Sequence, residues 1–184
     1  MQRALAACFL LLLAVPHGHA DPPTILELEP VNASTVREWI LHLEAMPCGR
    51  AYADADPNLW QVVRLGLEHV PTILELVNDP TETQMKVCLF GGSYTVGDVA
   101  VSAFSNIVRG APVALFASAG DQKRIDSMGY GVYWQFVRES DSNRDAMKEY
   151  LEEWFENNRD RLVWVRQFES PAGGYYEIRN ESQP

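Results

Sequence analysis

Few residues in this chain have types and spacing suited to chemistry. Beyond residue 20 there are two histidines, His42 and His69. Neither belongs to an H-E-x-x-H helix or stands near a cysteine pair, so no zinc-ligand spacing is formed. His42 lies between Leu41 and Leu43 in a helical stretch, and His69 sits just ahead of Pro71. A ring at a helix end can interact with the terminal carbonyls, and both histidines read as structural or surface residues. There is no G-x-S-x-G elbow and no P-loop; the glycine pairs 91–92 and 173–174, and the "GYG" around Tyr130, are too short to cradle phosphate and read as turns. Asp98, in "TVGD", stands three residues after Thr95, where a carboxylate accepts orphan helix N–H groups and favours the helix dipole. Glu152, Glu153 and Glu156 fall on the polar side of an amphipathic helix. General acid–base work needs carboxyls in a cleft with separated pKa values, and nothing in the sequence marks one. No catalytic set, cofactor-binding residue or metal ligand is therefore expected.

Two cysteines follow residue 20, Cys48 and Cys88. They are either bridged or two separate thiols; an even count in an exported chain favours the bridge. A loop of this length would contribute roughly 4 kcal/mol through the entropy of the unfolded chain. The aromatic residues form the more distinctive group. Trp134, Trp154, Phe155, Trp164, Phe168, Tyr175 and Tyr176 crowd the last third. They suit a core that joins two helices to a hairpin. They also suit a surface for a glycan or a protein, because aromatic rings dominate both cores and interfaces. Trp154, Trp164, Tyr175 and Tyr176 are the interaction candidates.

The chain opens "MQRALAACFLLLLAVPHGHAD". Arg3 supplies a positive start, Leu5 to Val15 are apolar, and Pro16 with "GHA" completes the layout of a secretory signal peptide over residues 1–20. The apolar run falls short of the ~20 residues that span a bilayer, so no permanent membrane anchor is expected. Residues 21–184 then form one domain, exported to the periplasm or secreted. The formal net charge is −10 with no basic patch. Nucleic acid, whose binding needs cations on phosphate, is excluded as a partner, and so is an anionic membrane surface. The glycosylation sequon occurs at Asn32 and Asn180.

The elements that must position these residues are mainly helical. Starts and apolar faces predict helices over about 36–46, 57–69, 71–77, 96–109, 128–139 and 143–157. Thr35, Asp56, Thr95 and Ser142 are the expected caps. The proline before residue 72 should break or kink the second helix near Val70. "KVCLF" suits a strand or a short helix, and "APVALFAS" is apolar without a clear period. "LVWVRQF" and "YYEI", separated by "ESPAGG", predict a β-hairpin over about 162–178. The pentapeptide "TILEL" occurs at 24–28 and again at 72–76. Prolines box in the first copy, which should be extended; the second follows a helix and should be helical.

"LWQVVRLGLEHVPTILELVNDP" and "YTVGDVAVSAFSNIVRG" together resemble a HEAT-like helical repeat unit. The T-V-G-D-x-A start is similar to that of helices in bacterial exported HEAT-like proteins. The resemblance covers about residues 57–110. It implies a compact, mainly α, HEAT-like helical domain with a small C-terminal hairpin, which binds or scaffolds through its helical surface and carries no catalytic residues. The expected function is an exported, non-enzymatic protein-binding domain of the inhibitor or immunity type, its acidity suited to a basic protein partner. A cell-envelope hydrolase and a glycan-binding module using the C-terminal aromatics are the alternatives.

Overall fold

The computed structural model describes residues 31–44, 56–87, 91–168 and 170–179. The expected leader, Cys48, Cys88, Asn180 and the first "TILEL" copy lie outside the described residues. The protein is mainly α. Eight α-helices and two antiparallel strand pairs are present among the described residues. In chain order they are α1 (Ala33–Leu41), α2 (Pro57–Arg64), α3 (Val70–Leu74), β1 (Glu82–Lys86), β2 (Ser93–Thr95), α4 (Val96–Ile107), α5 (Val113–Ala117), α6 (Gln122–Met128), α7 (Gly131–Glu139), α8 (Asp141–Asn158), β3 (Leu162–Arg166) and β4 (Gly174–Ile178).

Helix α4 is the hub. It packs against α1, α2, α3 and β4, and nine of its residues, from Val96 to Ile107, are buried. A helix apolar on most sides must be enclosed. Its first turn leaves N–H groups without helical partners, and each is met here. Val96 N donates to Thr81 O at 2.9 Å and Gly97 N to Asp79 O at 3.0 Å. Asp98 N donates to Thr95 Oγ1 at 3.2 Å, and the Asp98 carboxylate accepts from Thr95 N at 2.8 Å. This is the expected capping box, now joined by the backbone of the 77–81 segment. Helix α8 forms the second layer, against α3, α5 and α7; its Met147, Leu151 and Phe155 face the core.

Several local expectations are corrected. The cap of α1 is Asn32, not Thr35: Asn32 Oδ1 accepts from Thr35 N at 3.0 Å. The cap of α8 is Ser140, not Ser142, with Ser140 Oγ accepting from Asn143 N at 3.3 Å. Both segments hold more than one residue able to cap, and the earlier one wins because each helix extends further back. Replacing Asn32 by Ala should cost about 1 kcal/mol, read as a lowered midpoint in urea denaturation; no change would mean that α1 is held by packing alone.

The helix expected over 57–69 ends at Arg64. The break falls at Gly66, whose φ of 69° is left-handed and natural only for a residue without Cβ. A single 3₁₀ turn, Leu67–His69, follows, and α3 restarts at Val70 with Pro71 in its first turn. In the second "TILEL" copy, Thr72–Leu74 are helical and Glu75 and Leu76 continue as turn. The strand near "KVCLF" lies earlier, over Glu82–Lys86, where Thr83 and Met85 point inward in strict alternation. The undecided "APVALFAS" holds α5, and α6 precedes α7, which starts at Gly131 instead of 128.

Candidate functional site

Among the described residues, two surface hollows are lined by polar or aromatic side chains in a geometry that could serve a ligand or partner. The first lies at the C-terminal hairpin. Strands β3 and β4 pair in register, Trp164 opposite Tyr176 and Val165 opposite Tyr175. Opposed residues share a face. Trp164 and Tyr176 therefore meet on one side, their rings edge to face with centroids 5.0 Å apart. Tyr175 points to the other side, under the Arg109 guanidinium at 3.7 Å. Trp154, on α8, lies edge-on to Phe104 at 6.2 Å and is half-buried against the core. The four aromatic candidates thus do not form one flat platform; only Trp164 and Tyr176 act as a pair.

The hairpin is fixed to the helices. Val108 bridges Tyr176, and Arg109 N donates to Tyr176 O at 2.7 Å. Arg64 Nε donates to Pro171 O at 3.2 Å, and Arg109 Nη2 to Gln167 Oε1 at 3.1 Å. On this anchored element Phe168 is 83% exposed and Trp164 49% exposed. The Arg166 guanidinium lies over the Phe168 ring at 4.6 Å. A groove of about 300 Å³ runs between the hairpin and the helices, lined by Leu65, Leu67, Ile107, Trp164, Ala172 and Tyr176 among others. Gly174 is more than a turn residue, because it seats the tryptophan. A Cβ there would stand 2.5 Å from Trp164 Cζ2 and 2.3 Å from Val165 O. The sequence signal for this was available: a glycine two residues before Tyr176, diagonal to a tryptophan across the pair.

The second region is a polar cleft of about 530 Å³ between the β1–β2 pair and the α7–α8 corner. Glu82, Ser93, Arg138, Ser140, Asp141 and Arg144 contribute to its walls. Under it lies a buried cluster that sequence reading missed, apart from Asp98 itself. Asp98 is 2% exposed, Tyr133 0% and Arg144 7%. Tyr133 Oη donates to Asp98 Oδ1 at 2.9 Å. Arg144 Nη1 donates to the same oxygen and to Thr95 Oγ1, each at 3.2 Å. Burial first, and then the Asp98 charge beside it, hold the Tyr133 phenol well above the ordinary tyrosine range, so it stays a donor. A buried arginine needs a carboxylate, and Asp98, already held as a cap, supplies one. Asp98 is thus more than a cap: it joins α4, α7 and α8.

His42 and His69 lie elsewhere. His42 caps the end of α1, its Nδ1 2.7 Å from Glu38 O, and His69 Nδ1 is 3.3 Å from Leu65 O. Neither lines the cleft. Among the described residues no group of three or more His, Cys, Asp or Glu is placed to hold a metal ion, and no helix is long and apolar enough to cross a membrane. Glu149, Glu153 and Glu156 are exposed, as is Asp145 one turn earlier, so α8 presents an acidic stripe to solvent. Comparison with known protein families, curated proteins and solved structures finds no match to the chain.

Proposed function

We propose that this protein is an exported, non-enzymatic domain that binds a basic protein partner, with the C-terminal hairpin as the anchor. One observation carries the reading: Phe168 and Trp164 are held open to solvent on a hairpin that is itself tied to the helical body. Large rings left exposed on an ordered element commonly mark a contact surface, and Trp, Tyr and Arg are the residues most often found to dominate binding energy. Preordering matters as well, since a hairpin already fixed loses little freedom on binding. The groove beside Trp164 offers a seat for an apolar side chain of the partner.

The acidic stripe of α8, one 3₁₀ turn (Arg159–Arg161) ahead of the hairpin, supports the choice of a basic partner. Opposite charge would raise the encounter rate and orient the approach. The leader-like first residues support export, and the HEAT-like helix pattern supports binding through a packed helical surface. The split arrangement of the four aromatics favours this reading over a glycan platform.

The test compares residues 21–184 with a Trp164→Ser/Phe168→Ser variant in affinity capture from the source organism's extract. A partner retained by the first should bind the second at least about 30-fold more weakly, the loss of one strong hot spot. Its association rate should fall as salt rises. Equal retention by both proteins would remove the hairpin from the interface, and a purified partner whose association rate ignores salt would remove the acidic stripe.

A further inference from the structure

The polar cleft stands apart from the hairpin. We propose that it binds a small zwitterionic carboxylate, of the class of a free amino acid, on the unused edge of the Arg144 guanidinium. An arginine carries five N–H donors. Both hydrogens of Nη1 are accounted for by Asp98 Oδ1 and Thr95 Oγ1. The Nε–Nη2 edge makes no hydrogen bond among the described residues, while Arg144 is 7% exposed and lines the cleft. That edge is the side of a guanidinium that meets a planar carboxylate through two parallel bonds.

The edge is also prepositioned. Asp98 is locked by Thr95 N and Tyr133 Oη, and it in turn fixes the arginine before any ligand arrives, which lowers the ordering cost of binding. The other charges define the ligand further. Glu82 and Asp141 share the walls with Arg138 and Arg144. A dianion such as phosphate would face the two carboxylates, whereas a ligand carrying one carboxylate and one ammonium meets both signs. The volume of about 530 Å³ falls within the usual range of small-ligand sites.

The experiment titrates residues 21–184, uniformly ¹⁵N-labelled, with the standard L-amino acids, their amides, their N-acetyl derivatives and inorganic phosphate. Amide shifts at positions 91–95 and 138–144 are the readout. At least one amino acid should saturate. Its amide, without the carboxylate, should bind at least about tenfold more weakly, and its N-acetyl form several-fold more weakly. Arg144→Lys keeps a cation for Asp98 but loses the fork, and should abolish the difference between acid and amide; its melting curve shows whether it folds. Glu82→Gln alters an exposed wall residue and should weaken the amino acid while leaving the N-acetyl form unchanged. The proposal is overturned if no amino acid gives a saturable shift at millimolar concentration, if acid and amide bind alike to the unmodified protein, or if phosphate binds best.

Discussion

Replacing Asp98 by Asn lowers the unfolding free energy by about 3–5 kcal/mol, the usual cost of removing one partner from a buried ion pair. The substitution preserves size and shape, so the loss comes from charge and hydrogen bonding. Asp98 accepts from three donors at once: Thr95 N on Oδ2, and Tyr133 Oη and Arg144 Nη1 on Oδ1. Whichever way the new amide is turned, its NH₂ group confronts a donor. The guanidinium of Arg144 is left without its counter-charge. For a domain stable by roughly 5–15 kcal/mol, the change removes much of the margin. Urea denaturation measures it directly. Adding Arg144→Met should restore part of the stability, because an apolar pair carries no unpaired charge. A loss below about 1 kcal/mol in the single variant would show that water in the cleft already solvates the arginine.

Gly97→Ala should cost at least about 3 kcal/mol, at the upper end of what overpacking does. Helix propensity alone argues the other way, since Ala is favoured over Gly by about 1 kcal/mol inside a helix. The surroundings decide the sign. A Cβ on Gly97 would stand 2.2 Å from Val77 O and 2.9 Å from Val77 C. Both are backbone atoms that cannot rotate away. Moving them would disturb the hydrogen bonds from Val96 N to Thr81 O and from Gly97 N to Asp79 O, which close the start of α4. A chain of this size should then melt lower by roughly 6–12 °C. Thermal denaturation with an unchanged or raised midpoint would contradict the close approach.

These two neighbouring residues illustrate what was legible. The capping role of Asp98 follows from local spacing, because an N-cap and its partner lie three residues apart in any chain. Its partnership with Tyr133 and Arg144 does not, since those residues are 35 and 46 positions away. Arg144 itself looks like an ordinary polar residue of a charged helix. Only the corner between α7 and α8, folded over α4, turns it inward. The hairpin shows the same division. β-rich residues on both sides of the "ESPAGG" turn announce two strands, but register decides that Trp164 joins Tyr176 and leaves Tyr175 to Arg109. The short pair β1–β2 was obscure because the three residues of β2 carry too few alternations, and β1, "ETQMK", lacks the aromatic and β-branched density of β3 and β4.

The sequence by itself determined the mainly helical class, the buried character of α4, the cap at Thr95 and the C-terminal hairpin. Each depends on residues within a few positions of one another, where periodicity, proline and capping chemistry act directly. The tertiary structure alone decided which aromatic rings reach solvent and which charges are buried together. Those outcomes depend on contacts between distant segments, and they set the candidate sites: a tryptophan seated on Gly174 and a buried arginine, held by Asp98, in the wall of a cleft.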